Sequence, residues 1–164
     1  MPKFNEAARC MPYCALTDLD RNLCAPKLIR EWLPNDQHNN LIFRVAVHEV
    51  ESWLLADQEP FAHFTGIARR HIPENPDLLD DPKAKLLNLM RRSRKAQIRN
   101  EMLPRDASVR QGPGYNGRMS EFIEQHWRPD VARQYSPSLH AAMRALEGFQ
   151  PVWPNAESDL LESE

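Results

Sequence analysis

Two pairs of carboxylates, each with a spacing of two residues, follow the most strand-like segments of the sequence. Asp18 and Asp20 end the apolar run YCALT, and Glu49 and Glu51 follow LIFRVAV. Residues two apart in an extended segment point to the same side, and Mg²⁺ or Mn²⁺ prefers oxygen ligands. Such an ion stabilises charge on a transferring phosphoryl group and activates water. The sequence thus offers Asp18 and Asp20 as metal ligands, with Glu49 or Glu51 as an added ligand or catalytic base.

The same four residues have an ordinary structural interpretation. Asp18 could close the strand, and Asp20 could cap the turn or helix that follows. Glu49 and Glu51 could lie in the first turn of a helix, where negative charge is favoured. Asp-x-Asp is a short motif that does not decide between these roles, so both interpretations stay open at this point.

The elements that would bring the two pairs together are predicted from hydrophobic spacing. Residues 13–17 form a strand, CAPKLIREWL a helix with Pro26 in its first turn, and residues 41–47 a second strand rich in β-branched and aromatic residues. This order predicts a βαβ unit with parallel strands, covered on both faces. Because functional groups collect at the carboxyl ends of parallel strands, the carboxylates would meet there around His48.

The rest of the chain predicts helices separated by proline-rich and glycine-rich loops. We expect a short helix ending near Gly66, a helix or broken helix over 82–103, a helix from 118 after the loop QGPGYNG, and a helix over 136–148. The predicted fold class is α/β, with a small parallel sheet and a helix-rich C-terminal half. Residues 1–150 form a single domain, and residues 151–164 an acidic, disordered tail.

Basic residues are concentrated in one part of a chain whose net charge is only −2. The segment RRSRK supplies Arg91, Arg92, Arg94 and Lys95, and residues 83–99 contain no acid. Clustered cations of this kind could contact the phosphates of a nucleic acid, or they could form a solvated helix face. The loop GPGYNGR could likewise cradle a phosphate through backbone amides, although a purely structural loop is the preferred interpretation.

Three cysteines without CxxC spacing predict buried free thiols and a reducing compartment. The sequence contains no apolar run of membrane length and no signal peptide. These features predict a cytoplasmic protein without a membrane partner.

Several segments resemble a known family. ALTDLDR resembles the Asp-x-Asp strand end of Toprim domains, which occur in primases, topoisomerases and overcoming-lysogenization-defect nucleases. VHEVESWLLAD, IPENPDLLDDPKAKLLNLMRRSR and GPGYNGRMSEFI resemble a family of uncharacterised bacterial proteins, a domain of unknown function with a Toprim-like fold. Its members are often encoded near ATPases or in phage-defence islands. The resemblance covers residues 4 to 150 approximately and is most specific at EVESWLLAD and GPGYNG.

The resemblance implies a Mg²⁺-dependent nuclease or phosphoryl-transfer domain. Asp18 and Asp20 would bind the metal, Glu49 and Glu51 would be catalytic, and the RRSRK segment would hold the nucleic acid.

One feature of the Toprim pattern is missing from the sequence. Toprim enzymes carry a glutamate at the end of an earlier strand, which acts as general acid or base, and only 17 residues precede Asp18. Glu6 lies in FNEAAR, a predicted helix, and does not match. The expectation is therefore an N-terminally incomplete domain whose Met1 is not the true start, a glutamate from another subunit, or a non-catalytic module. Such a module would bind a partner such as an ATPase encoded nearby.

Overall fold

The computed structural model describes residues 1–19, 24–34, 36–46, 49–106 and 108–153. Two residues of the predicted acidic edge, Asp20 and His48, lie outside the described residues. So do residues 154–164 of the predicted tail.

The described residues form a mixed α/β fold with a small parallel sheet and a helix-rich C-terminal half, as the sequence predicts. The elements in chain order are α1 (Pro2–Ala7), β1 (Tyr13–Asp18), α2 (Ala25–Trp32), β2 (Leu41–Ala46), α3 (Glu51–Ala56), α4 (Gln58–Thr65), α5 (Pro82–Met90), α6 (Ala96–Met102), α7 (Tyr115–Gln125), α8 (Pro129–Ala132) and α9 (Pro137–Glu147). Short 3-10 turns lie at Arg69–His71 and Pro76–Leu78. No helix in the described part of the chain is long and apolar enough to cross a membrane.

The sheet pairs β1 with β2 in parallel, in a register that sets Tyr13 opposite Leu41 and Asp18 opposite Ala46. One face packs on α1 and α2, where Leu28 and Phe43 are fully buried within a sheet core. The ring of Trp32 stacks on Phe43 at 6.0 Å between centroids. The predicted βαβ order and the parallel pairing are therefore confirmed.

The second face of the sheet is covered only in part by the described elements. Ala46 of β2 packs with Trp53, Leu139 and other residues of α3, α8 and α9 in a junction core. In contrast, Cys14 and Leu16 of β1 are exposed, with 47% of the Leu16 surface open. The prediction of a sheet covered on both faces is right for β2 and wrong for β1, because α9 packs on β2.

The C-terminal half is organised around a larger helical core. Its members come from α3 to α7 and the turns between them: Leu54, Leu55, Phe61, Phe64, Ile67, Ile72, Leu86, Leu89, Met90, Ile98, Met102, Tyr115, Met119 and Phe122. Fully burying one such side chain stabilises a fold by about 1.5–3 kcal/mol. This core therefore stabilises the helical half, and Trp127 packs against both it and the junction core.

Of the two forms predicted for residues 82–103, the structure has the broken helix, which a tertiary contact divides into α5 and α6. The buried hydroxyl of Ser93 donates to the carbonyl of Thr65 at 2.5 Å, and the N–H of Arg94 donates to the carbonyl of Gly66 at 3.2 Å. Gly66 itself has a φ of 70°, which ends α4 in the left-handed conformation that glycine tolerates best. The chain between α5 and α6 therefore satisfies the end of α4 instead of continuing a helix.

The cysteine prediction is correct about pairing and wrong about burial. Cys10, Cys14 and Cys24 are all free thiols, and all three are exposed. Cys14 alternates with the inward-facing Tyr13 and Ala15 along β1, so it points to the uncovered side of the sheet.

Candidate active site

The carboxyl ends of the two strands are fastened to each other through Asp18. The backbone N–H of Val50 donates to Oδ1 of Asp18 at 2.9 Å. The N–H of Leu19 also donates to the carbonyl of Ala46 at 3.0 Å, which extends the parallel pairing past the strand ends. The predicted convergence of the segment after β1 with the segment after β2 is therefore present in the structure.

Glu49 connects this strand edge to the start of α5. Its Oε2 accepts the backbone N–H of Lys83 at 2.7 Å, and Asp81 accepts the N–H of Ala84 at 2.7 Å. The first N–H groups of a helix have no partner within the helix. Because Pro82 has no N–H, these two carboxylates satisfy the next two donors from outside.

Four carboxylates form an acidic cluster here, defined as Asp18, Glu49, Glu51 and Asp81. Burial raises the pKa of Glu49, while the N–H of Lys83 acts in the opposite direction. The negative charges of Glu51, Asp81 and Asp18 raise the pKa further, in that order. Glu49 therefore holds its proton more tightly than an ordinary glutamate.

Glu51 is paired with a tyrosine and a lysine that the sequence alone did not place at the site. The hydroxyl of Tyr115 donates to Oε1 of Glu51 at 2.7 Å, and Nζ of Lys83 lies 3.6 Å from the same oxygen. The Lys83 ammonium also lies 4.9 Å from the centre of the Tyr115 ring. Such contacts between a cation and an aromatic face are attractive.

Tyr115 acts as a hydrogen-bond donor at this site. It is almost fully buried, and burial raises the pKa of its phenol well above the usual range. The carboxylate of Glu51 raises that pKa further through its charge and its hydrogen bond. The phenol therefore stays protonated, and it positions Glu51 instead of accepting a proton.

Two glycines explain why Tyr115 reaches the site. The N–H groups of Gly112 and Gly114 donate to the carbonyls of Met102 and Glu101 at 2.8 and 3.0 Å, so the loop lies directly on the end of α6. A β carbon at Gly112 would lie 2.6 Å from the carbonyl oxygen of Leu103. Only glycine allows this approach.

The same contacts decide the role of the GPGYNG loop. Its amides at Gly112, Gly114 and Tyr115 are already bonded to backbone carbonyls, which favours the structural interpretation over a phosphate cradle. The predicted helix start at 118 is wrong, because the loop ends at Gly114 and α7 begins with Tyr115. The glycine spacing was a local signal for a tight loop, but nothing in it indicated the distant carboxylate that Tyr115 contacts.

The oxygen ligands of the acidic cluster match the chemistry of Mg²⁺, but their arrangement does not complete a site. Within the described ranges, no group of three or more His, Cys, Asp or Glu side chains is placed to hold a metal ion. Asp18, Glu49 and Glu51 each direct an oxygen to an internal donor. The predicted ligand Asp20 lies outside the described residues. No metal-dependent step follows from the described carboxylates alone.

The four cations of the basic segment, residues 91–95, are exposed as a nucleic-acid contact requires, whereas Ser93 between them is buried. Arg91, Arg92, Arg94 and Lys95 are all exposed, on the connection between α5 and α6 instead of a helix face. Arg92 lines one cleft and Lys95 lines another. The structure therefore places the four cations near one another along the chain but on more than one surface.

Comparisons with protein-family models, with curated proteins and with solved structures give no match for this chain. The Toprim-like family therefore stays a prediction from the motifs quoted above.

Proposed function

We propose that the chain supplies a Toprim-like, Mg²⁺-dependent nuclease or phosphoryl-transfer site that acts in phage defence. The observation that carries the proposal is the convergence of Asp18 with Glu49, fastened by the Val50 N–H at the carboxyl ends of two parallel strands. Ligand and catalytic groups collect at this edge in parallel sheets. The like-charge repulsion on Glu49 is the kind of strain that a divalent cation relieves.

The proposed roles follow from the contacts of each group. Asp18 and Asp20 would hold Mg²⁺ or Mn²⁺, which when bound stabilises charge on a phosphoryl group and activates water. Glu49 would exchange a proton, because its raised pKa lies closer to neutral pH than that of an ordinary glutamate. Glu51, fixed by Tyr115 and Lys83, would position the neighbouring groups. The exposed Arg91, Arg92, Arg94 and Lys95 would hold the nucleic acid.

A cleavage assay with matched variants tests this proposal. The purified chain would be incubated with end-labelled single- and double-stranded DNA and RNA, in Mg²⁺, Mn²⁺ or EDTA. We expect metal-dependent cleavage that Asp18→Asn abolishes and that Glu49→Gln lowers by about 10²–10⁴-fold, the usual contribution of a general acid or base. Glu124→Gln is the control, because Glu124 is exposed on α7 and makes no ion pair in the described part of the chain.

The proposal would be wrong if no substrate were cleaved with either metal and calorimetry showed no Mg²⁺ binding. It would equally be wrong if Asp18→Asn cleaved as fast as the unmodified chain.

A second candidate is a non-catalytic Toprim-like module that binds a partner, such as an ATPase encoded nearby. Two observations favour it. Asp18, Glu49 and Glu51 all make internal hydrogen bonds, and the exposed face of β1 presents Leu16 to solvent. Co-purification of the partner, lost in Leu16→Lys but kept in Val109→Lys, would support this function. Val109 is a suitable control because it is similarly exposed, at 51%, and lies outside the sheet.

The proposed location of either function is the cytoplasm. A reducing compartment keeps three free, exposed cysteines from forming disulfides.

A further inference from the structure

A second polar site lies on the other side of α5 from the contacts described so far. A cleft of about 190 Å³ lies between the turn Arg69–His71 and α5, and its lining residues are His71, Lys85, Asn88, Leu89 and Arg92. We call it the cationic cleft. At roughly 30 Å³ per water molecule, it has room for about six waters. A tetrahedral anion with part of its hydration shell therefore fits inside it.

The charged side chains that line the cationic cleft are all of one sign. Desolvation and then the positive charges of Arg92, Arg70 and Lys85 lower the pKa of His71. Within the described ranges, none of these three cations forms an ion pair with a carboxylate. Such a group of like charges is destabilising until an anion enters.

Other arginines of the molecule form ion pairs with nearby carboxylates. Arg118 lies 2.6 Å from both Glu101 and Glu121, and Arg128 lies 2.8 Å from the buried Asp57. The favourable interaction of a cation with a helix C-terminus accounts for Arg92, which follows the end of α5. It does not account for Lys85 in the middle of α5, or for Arg70 and His71 on a separate turn.

We propose that the cationic cleft binds a single phosphate group. Arg92 would contribute the forked donors that suit phosphate oxygens, Lys85 a point charge, and Asn88 a neutral amide donor. His71 would contribute a further charge when it is protonated. Of these residues, only Arg92 belongs to the basic segment, so the cleft enlarges the candidate anion-binding surface onto a different element.

The acidic cluster and the cationic cleft are separated by a short distance along α5. Lys83 contacts the acidic cluster, and Arg92 lines the cleft two residues after Met90, where α5 ends. The seven helical steps from Lys83 to Met90 correspond to a rise of about 10.5 Å. At 3.4 Å per nucleotide of a duplex strand, that rise is about three nucleotides. A nucleic acid held in the cleft by one phosphate could reach the candidate active site. The binding itself does not depend on phosphoryl transfer.

Sulfate is the probe for the first experiment, because it keeps a charge of −2 across the pH range in which histidine titrates. The full chain would be titrated with sulfate at constant ionic strength and followed by amide chemical shifts. We expect saturable shifts in residues 69–71 and 85–92 and tighter binding as the pH falls, since imidazolium adds a charge facing Arg70, Lys85 and Arg92. Lys85→Gln and Arg92→Gln should each weaken binding at least tenfold, and His71→Gln should remove the pH dependence.

Arg105→Gln is the matched control, because Arg105 is an exposed cation that lies outside both the cleft and the basic segment. An equal loss in Arg105→Gln would mean diffuse charge attraction instead of a site, and it would overturn the proposal. So would an absence of saturable binding, or affinities that Lys85→Gln and Arg92→Gln leave unchanged. These results do not require metal or catalysis, so they are separable from the cleavage assay.

A second experiment distinguishes the sources of the phosphate. Oligonucleotides with and without a 5′-phosphate, and nucleoside monophosphates, would compete with sulfate for the unmodified chain and for Arg92→Gln. Displacement by both oligonucleotides alike assigns the cleft to the nucleic-acid backbone, and displacement by the 5′-phosphorylated one alone assigns it to a strand end. Displacement by monophosphates alone assigns it to a free nucleotide. Failure of all three to displace sulfate would contradict phosphate as the ligand.

Discussion

Two groups of charged side chains along α5 differ in whether their charges are paired. At its start, the acidic cluster is bonded to the helix amides, to Tyr115 and to Lys83. Lys85 in the middle of α5 and Arg92 just after its end line a cleft, and neither has a carboxylate partner in the described part of the chain. The helix α5 therefore contacts an acidic group whose charges are bonded within the fold, and it contributes to a basic group whose charges face solvent. The first should matter for folding and for positioning, and the second for binding.

The largest expected effect comes from a substitution in the glycine loop that positions Tyr115 at the acidic cluster. In Gly112→Ala the new β carbon would collide with backbone atoms of residues 101–103, which cannot move independently. We expect a loss of about 3 kcal/mol in the free energy of unfolding, the upper range for overpacking. Gly117→Ala is the control, because a β carbon there meets no atom within 4 Å and Gly117 lies in α7. It should stabilise the chain by about 0.5–1 kcal/mol. Urea unfolding of both variants measures the difference, and equal values would contradict the close packing of the loop.

A smaller effect should follow from removing one hydroxyl. Tyr115→Phe deletes the hydrogen bond to Glu51 and leaves the ring in place. Hydrogen bonds to charged groups contribute about 1.5–3 kcal/mol, so we expect a destabilisation of about 2 kcal/mol in urea unfolding. Tyr135→Phe should change little, since Tyr135 is 46% exposed. A Tyr115→Phe variant as stable as the unmodified chain would show that the acidic cluster does not depend on this bond.

The third prediction concerns the pH dependence of stability. The pKa of Glu49 in the folded chain is raised above its ordinary value of 4.5. The native state therefore binds this proton more tightly than the unfolded chain does. The resulting stability is present in full below pH 4.5 and is lost as the pH rises through the folded-state pKa.

Glu49→Gln removes that component and keeps an oxygen for the N–H of Lys83. The variant should therefore gain stability relative to the unmodified chain as the pH rises from about 4.5 towards 7. Urea unfolding across this range checks the sign. Glu124→Gln should run parallel to the unmodified chain. A stability difference for Glu49→Gln that is constant or shrinks with pH would show that burial and the neighbouring carboxylates do not raise the pKa of Glu49.

The smallest expected effect is on stability, when Arg92, which has no ion pair in the described ranges, is compared with the ion-paired Arg118. Arg92→Gln should alter the free energy of unfolding by less than about 0.5 kcal/mol, as exposed substitutions usually do. Arg118→Gln loses contacts to Glu101 and Glu121 and should cost about 1–2 kcal/mol. Thermal unfolding of both variants gives the comparison. A larger loss for Arg92→Gln than for Arg118→Gln would mean that the cationic cleft is part of the folding core.

Local signals in the sequence predicted the elements whose ends are determined locally. The helix α9 starts as expected because the Oγ of Ser136 accepts the N–H of Leu139 and Pro137 fixes the first turn. The two strands were predictable as apolar runs, and the parallel pairing followed from the βαβ order. The convergence of Asp18 with Glu49 followed from that pairing in turn.

Contacts between distant segments account for what the sequence left open or did not predict. The sequence left open whether the helix over 82–103 is broken, and the break after α5 depends on Ser93 bonding to Thr65, which lies 28 residues away. The partner of Glu51 is Tyr115, 64 residues away, and no periodicity connects them. The cysteines were expected inside because cysteine is usually buried. The exposure of Cys14 depends instead on which strand α9 covers.

The exposed thiols make β1 accessible to chemical labelling without engineering new cysteines. All cysteines of the chain lie between residues 10 and 24, and Cys14 faces the open side of β1. A chain with Cys10→Ser and Cys24→Ser would keep one native attachment point for a fluorophore, near the start of the strand that ends at Asp18. The fluorescence emission would change when an oligonucleotide or a partner protein binds to that face of the sheet. In a buffer without reductant, dissolved oxygen would accept the two electrons released when the thiols of two molecules form a disulfide, and the purified chain would be cross-linked into dimers.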